Sequence, residues 1–230
     1  MNRATAGVRV VSLLPSVTET LLAWGVEPVA CTRFCEQSDL VHVGGTKDPD
    51  LAAIVALEPD LVVMDEEENR WEDAEALADA GLHVFTTAVR SVGDVAPTLA
   101  ALGARVGVEA TTAIRVDRRP ITARAFVPIW RNPYMTMNRS TYGSSMLEHL
   151  GVENVFGTET VRYPTIELVE AMARDPDVVL APSEPYPFSE RQRPELEAVA
   201  PVIFVDGQDL FWWGVRTQTA LDRLARQLSV

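Results

Sequence analysis

Several kinds of side chain in this sequence have the type and spacing for chemistry. Lys47, closing Gly44-Gly45-Thr46-Lys47, and Arg33, Arg131 and Arg139 are cations set in loops of an acidic chain. They suit carboxylate, phosphate or hydroxamate oxygens. The run Asp65-Glu66-Glu67-Glu68-Asn69 offers the opposite charge. It reads either as favourable charge at the start of the following helix or as acceptors for ligand amides and cationic groups. Gly143-Ser144-Ser145 with His149 is the nearest approach to a nucleophile and base, although a histidine just before Gly151 equally suits a helix C-terminus. Cys31 and Cys35 fit neither a CxxC redox pair nor a complete structural zinc site. They read as unpaired thiols, with a soft-metal ligand or an axial cofactor contact as the functional alternative.

The remaining motifs exclude more than they assign. Gly44-Gly45-Thr46-Lys47 lacks the spacing of a phosphate loop, and the chain has no Gly-x-Ser-x-Gly elbow, His-Glu-x-x-His or dinucleotide fingerprint. Only His42, His83 and His149 would titrate near neutrality. The sequence therefore favours a binding protein over an enzyme. A net charge of -13 opposes nucleic acid and anionic membrane, and no apolar stretch is long enough to insert in a bilayer.

Aromatic residues are distributed unevenly. Phe34 follows an expected strand at Pro28 to Ala30, and Trp130, Tyr134 and Tyr142 follow one at Phe126 to Ile129. Tyr186 and Phe188 come after Val178 to Ala181, and Phe211, Trp212 and Trp213 after Val202 to Val205. In open parallel sheets, ligands bind beyond the carboxyl ends of strands. Rings collected there suit a bulky, flat or amphipathic ligand, although they could equally pack the sheet ends. Because consecutive side chains diverge, at least one of Trp212 and Trp213 is expected to face a cleft or solvent.

The elements that must position these residues occur twice. Pro59-Asp60-Leu61-Val62-Val63-Met64 aligns with Pro176-Asp177-Val178-Val179-Leu180-Ala181, each a short buried strand. Each is preceded by a helical pattern: Leu51, Ile54 and Val55 in one copy, Ile166, Val169 and Met172 in the other, expected to cover a sheet face. Each is followed by a helix (Trp71 to Ala80; Glu190 to Val199) and a strand (His83 to Thr86; Val202 to Val205). Upstream, Val8 to Leu14 answers to Phe126 to Ile129, and helices end near Gly25 and Gly151. Ser16 and Glu19 read as a capping box for the first helix. Val95, Leu99, Leu102 and Val106 predict a linking helix over 92–114, about 30 Å long, with Pro97 in its first turns. The fold class is α/β: two Rossmann-like lobes with parallel sheets joined by that single helix. The lobes are placed at 1–90 and 117–230, the linker at 91–116, with an interlobe break at Val116-Asp117-Arg118-Arg119-Pro120.

Ser12-Leu13-Leu14-Pro15-Ser16-Val17-Thr18-Glu19, Gly44-Gly45-Thr46-Lys47 and Pro59-Asp60-Leu61-Val62 resemble the helical-backbone periplasmic binding proteins of ABC importers, a family that includes vitamin B12 and ferric siderophore receptors. The resemblance continues through Val127-Pro128-Ile129-Trp130-Arg131, Met135-Thr136-Met137-Asn138, Pro185-Tyr186-Pro187-Phe188 and Asp209-Leu210-Phe211-Trp212-Trp213. It implies a ligand cleft between the lobes and a ligand-facing set of Phe34, Cys35, Thr46, Lys47, Glu66, Glu67, Trp130, Tyr186, Phe188, Trp212 and Trp213. Cobalamin is the leading ligand it implies, with a ferric siderophore, haem or a metal ion as the alternative. A hydrolase or transferase on this fold is a third reading. A permease partner is implied too, but the positions matching the family's docking glutamates are Ala52 and Val169, with Asp50, Glu167 and Glu170 as loose substitutes. The segment Gly107 to Ala125 looks shorter than the family's interlobe region. The opening residues show no export signal, so the expected location is cytoplasmic as given, or extracytoplasmic if a signal sequence was removed.

Overall fold

The computed structural model describes residues 7–110, 114–115 and 119–228. The chain divides into two compact units. The first takes residues 1–89, 94–112 and 213–215, and the second takes 90–93, 113–212 and 216–230.

In the first unit, β1 (Val10–Ser12) lies between β2 (Ala30–Cys31) and β3 (Leu61–Asp65), and β4 (Val84–Thr87) borders β3. All pairings are parallel. Parallel strands need crossover helices, supplied by α1 (Pro15–Ala23), α2 (Leu51–Ala56) and α3 (Trp71–Asp79). Val11, Leu13, Val62 and Met64 form one core face with Ile54 of α2 and Leu77 of α3.

The second unit repeats this plan. β5 (Ala123–Phe126) lies between β7 (Val152–Asn154) and β9 (Val178–Pro182), with β10 (Val202–Val205) at the far edge, again all parallel. Its crossovers are α5 (Tyr142–His149), α6 (Leu168–Ala173) and α7 (Arg193–Leu196), followed by α8 (Gly207–Phe211) and α9 (Thr217–Leu228). Phe126, Val179 and Ala181 pack with Ala171, Phe188 and Leu196. The second unit adds a short antiparallel pair, β6 (Tyr134–Met135) with β8 (Thr165–Ile166).

The repeat extends to individual atoms. Ahead of β3, Asp60 accepts a hydrogen bond from the Arg9 N–H (2.8 Å), and the Arg9 guanidinium donates to the Leu57 and Glu58 carbonyls. Ahead of β9, Asp177 accepts from the Arg124 N–H (2.8 Å), and Arg124 donates to the Asp175 carbonyl. Glu58 and Asp175, each just before the proline, both take positive φ, 45° and 52°. The same conversion of a helix end into a central strand is thus built from the same residue types.

Several sequence expectations are corrected in detail. Ser16 does not cap α1: Pro15 opens the helix, Leu14 is its N-cap, and Ser16 is buried one position in. The helix does end as expected, with Gly25 at φ 73° and Val26 N–H bonded to Leu21 O, a Schellman closure. Strand β5 ends at Phe126, so Val127 to Ile129 leave the sheet. The helices α2 and α6 bury Ile54 and Ala171, while Val55, Val169 and Met172 face outward and Ile166 belongs to β8. Six residues make less than two turns, too few for apolar spacing to define a face. The linking helix is α4 (Val92–Val106), about 22 Å at 1.5 Å per residue, and closes at Gly107 with φ 74°. Pro97 lies beyond its first turn, so the bond that residue would donate to Gly93 is missing. Of the proposed interlobe break, Val116, Asp117 and Arg118 lie outside the described residues.

Candidate functional site

In the first unit, the loops after β1, β2 and β3 meet through a polar network. Asn69 is its hub: its carbonyl oxygen accepts from the Asp65 N–H (2.8 Å), and its amide donates to Thr46 O (2.8 Å) and Leu13 O (3.4 Å). Lys47 Nζ donates to the Glu67 carbonyl. Gly44 adopts φ 89° with the Asp48 carbonyl packed against it, so a side chain there would clash with backbone. Arg33 closes the same turn through Asp48 (2.9 Å) and lies 5.0 Å over the Phe34 ring. The structure therefore gathers Phe34, Cys35, Thr46, Lys47, Glu66 and Glu67 around neighbouring loops. Phe34 is 54% exposed and Lys47 and Glu66 are exposed, whereas Cys35 is buried, its thiol donating to Thr18 Oγ1 (3.3 Å).

The acidic run is not charge at the start of α3, since that helix has Arg70 at its N-cap and carries Glu72 and Asp73 in its first turn. Asp65 instead ends β3 and is buried, accepting from the Glu67 N–H (2.9 Å) and the Thr87 hydroxyl (2.7 Å). Burial raises its pKa above the usual carboxylate value.

In the second unit the corresponding face is aromatic. Once β5 ends, Ile129 N–H bonds Met135 O and Met135 N–H bonds Trp130 O, a tight turn that sets Trp130 and Tyr134 in place. The loop after β9 supplies Tyr186 and Phe188. Trp130 meets Tyr186 edge-on at 5.9 Å, Tyr186 meets Phe188 at 4.7 Å, and Phe188 stacks on Tyr134 at 6.4 Å. Trp130 is 44% exposed at one end of this row, Phe188 is buried within it, and Tyr134 is the part-buried other end. The row is a cluster of stacked, tilted and edge-on rings whose exposed end, Trp130, is free to stack. Tyr134 is the member missing from the expected ligand-facing set. Its pKa is pushed up to about 12 by burial.

Other expected groups are committed elsewhere. Arg131 pairs with Glu195 through two bonds (2.7 and 3.2 Å), which lowers the Glu195 pKa. Ser144 donates to Asn138 O (2.8 Å), Ser145 Oγ accepts from the Val92 N–H, and His149 Nδ1 donates to Ser145 O (2.8 Å). No nucleophile and base pair forms there. Tyr142 is the first residue of α5 and buried, its hydroxyl 3.0 Å from Thr217 Oγ1. Trp212 is half-buried under the Arg216 guanidinium (4.9 Å). Trp213 is 5% exposed and groups with the first unit, where Val215 N–H donates to Thr20 Oγ1 (3.3 Å).

Residues 10–113 match the periplasmic binding protein family. A vitamin B12-binding protein of Salmonella choleraesuis is 26% identical over 192 residues, covering 76% of this chain and 72% of its own. The fold is shared with the periplasmic vitamin B12 binding protein of Vibrio cholerae (TM-score 0.79, 18% identity, 97% of each chain). It is shared equally with a periplasmic heme-binding protein solved with two hemes (TM-score 0.79, 20% identity, 96% and 98%). The described helices include none long and apolar enough to cross a membrane. The likeness to the periplasmic binding protein family is thus one of sequence over residues 10–113, and over nearly the whole length the chain shares the fold of these solved binding proteins.

Proposed function

We propose that this chain is a receptor for a cobalamin-like corrinoid, which stacks on the aromatic strand-end loops of the second unit. The observation that carries the proposal is the pair Trp130 and Tyr186, at least partly exposed rings backed by Tyr134 and the buried Phe188, which offers stacking area to a flat macrocycle. Trp212 extends the aromatic contribution within that unit, and in the first unit Phe34, Thr46, Lys47, Glu66 and Glu67 are the candidate ligand contacts. Cys35, being buried and bonded to Thr18, serves as floor in this reading, and Trp213, buried in the first unit, as support. The vitamin B12-binding relatives support this ligand.

Haem is the second reading, favoured by the equal likeness to a heme-binding protein. Calorimetric titration with cobalamin and with hemin separates the two. The double variant Trp130→Ala with Tyr186→Ala is expected to weaken cobalamin binding tenfold or more, since about 1.4 kcal/mol of lost stacking is a factor of 10. Unchanged affinity rejects the site, and tight hemin binding without a cobalamin signal rejects the ligand.

The word periplasmic in the family description and in the names of the solved neighbours supports an extracytoplasmic location. Delivery to an ABC permease remains secondary here. Ala52 and Val169 face outward without a carboxylate, Asp50 caps α2, and Glu170 accepts from the Glu167 N–H.

A further inference from the structure

Trp130 and Tyr186 come from different segments of the second unit, yet their rings meet edge-on at 5.9 Å. Trp130 opens a turn that reverses at Asn132, with φ 63°, and closes through Met135 N–H on Trp130 O (3.2 Å). Tyr186 opens a segment anchored in the second core by Phe188 and Leu196. Between those anchors, Gln192 Oε1 accepts from the Ser189 N–H (3.1 Å) and hydroxyl (3.0 Å), which fixes the entry to α7. Arg131, next to Trp130, reaches from the turn to that helix: its Nε and Nη2 donate to the two carboxylate oxygens of Glu195 at 2.7 and 3.2 Å. We propose that Glu195 is a positioning residue, which through Arg131 holds the Trp130 turn against the segment carrying Tyr186 and so sets the angle of the exposed stacking face.

The ring contact alone is too weak for this task, since an edge-on pair favours its own geometry by only about fivefold. A fork of two charge-assisted bonds is directional, because guanidinium and carboxylate must meet in register. Glu195 is the right anchor for it: Leu196, the next residue, is fully buried, so the backbone of α7 is fixed to the core. The side chains of Arg131 and Glu195 are themselves about a third exposed, so the clamp lies at the surface beside the ring it aims. The consequence for a ligand rests on the stacking role proposed above for Trp130 and Tyr186, whereas the effect on Trp130 itself is independent of any ligand.

The test reads the indole N–H resonance of Trp130 in the full chain without ligand, assigned by its absence in Trp130→Phe, and then titrates cyanocobalamin and hemin by calorimetry. Glu195→Ala is expected to shift that resonance, as the Tyr186 ring moves relative to it, and to weaken ligand binding about fivefold. Glu195→Gln makes the same comparison with the side-chain shape kept. Exchanging the pair, Arg131→Glu with Glu195→Arg, should return the resonance and the affinity toward wild type. In a Trp130→Ala background, Glu195→Ala should change affinity by less than about twofold, because its effect passes through that ring. A resonance unmoved in both Glu195 variants, or not returned by the exchange, overturns the clamp whether or not a ligand binds. An equal loss of affinity with and without Trp130 overturns positioning through that ring. Wild-type chain that binds neither ligand, while the resonance moves and returns, supports the clamp and rejects the corrinoid and haem readings.

Discussion

The two units share strand order, crossover helices and the Arg–Pro–Asp device ahead of the central strand, yet they finish their carboxyl ends in opposite materials. In the first unit the loops are joined by side-chain to backbone hydrogen bonds centred on Asn69. In the second they are joined by ring contacts centred on Phe188. The sheet fixes where loops emerge, and the loop residues decide whether the surface presents donors and acceptors or a stacking wall. A single fold used twice thereby carries two different loop surfaces.

The largest effect should come from breaking the aromatic side. Phe188 is buried in the second core with Phe126, Leu196 and Ala181, so Phe188→Ala is expected to cost about 3–5 kcal/mol. A urea unfolding midpoint measures this. A cost below about 1 kcal/mol would mean the row is surface decoration rather than part of the core.

The polar side should be weaker but still sharp. Asn69→Ala leaves the Asp65 N–H and two carbonyls without their partner in a buried place. The expected cost is about 2 kcal/mol, with loosening of the 44–47 loop. Hydrogen exchange at the Asp65 amide reads the local effect, and protection equal to wild type would remove Asn69 from its place as hub.

The duplication was legible in the sequence because Pro59-Asp60 and Pro176-Asp177 precede continuous apolar runs that only a doubly covered strand can use. The aromatic row was legible as strand-end rings, Tyr134 among them, but the resemblance placed only Trp130, Tyr186 and Phe188 in the ligand-facing set; Tyr134 is positioned by the β6 and β8 pair, two residues per strand and too short to leave a period. Asn69 looked like the tail of an acidic run, because nothing in local spacing shows that an amide reaches back to Leu13 and Thr46. The exposure of Val169 and Met172 was hidden for the reason that α6 is a six-residue helix. Tertiary contacts, rather than periodicity, place such residues.

The smallest expected effect separates the units by the sign of a pH dependence. Burial raises the Asp65 pKa above its ordinary 3.8, so its protonated form favours the fold. Its stabilising contribution is full below 3.8 and is lost as pH rises through the folded value. Arg131 lowers the Glu195 pKa below its ordinary 4.5. That contribution is present above 4.5 and is lost as pH falls through the folded value. Asn at position 65 can still accept from the Glu67 N–H and pair with Thr87, so Asp65→Asn should match wild type at low pH and become the more stable chain toward neutrality. Glu195→Gln should also match at low pH but become the less stable chain toward neutrality, by a smaller margin because Glu195 and Arg131 are about a third exposed and screened by solvent. Urea unfolding across the acidic range gives two difference curves of opposite sign. Curves of the same sign would mean that the polar and aromatic faces do not hold their carboxylates in opposite ways.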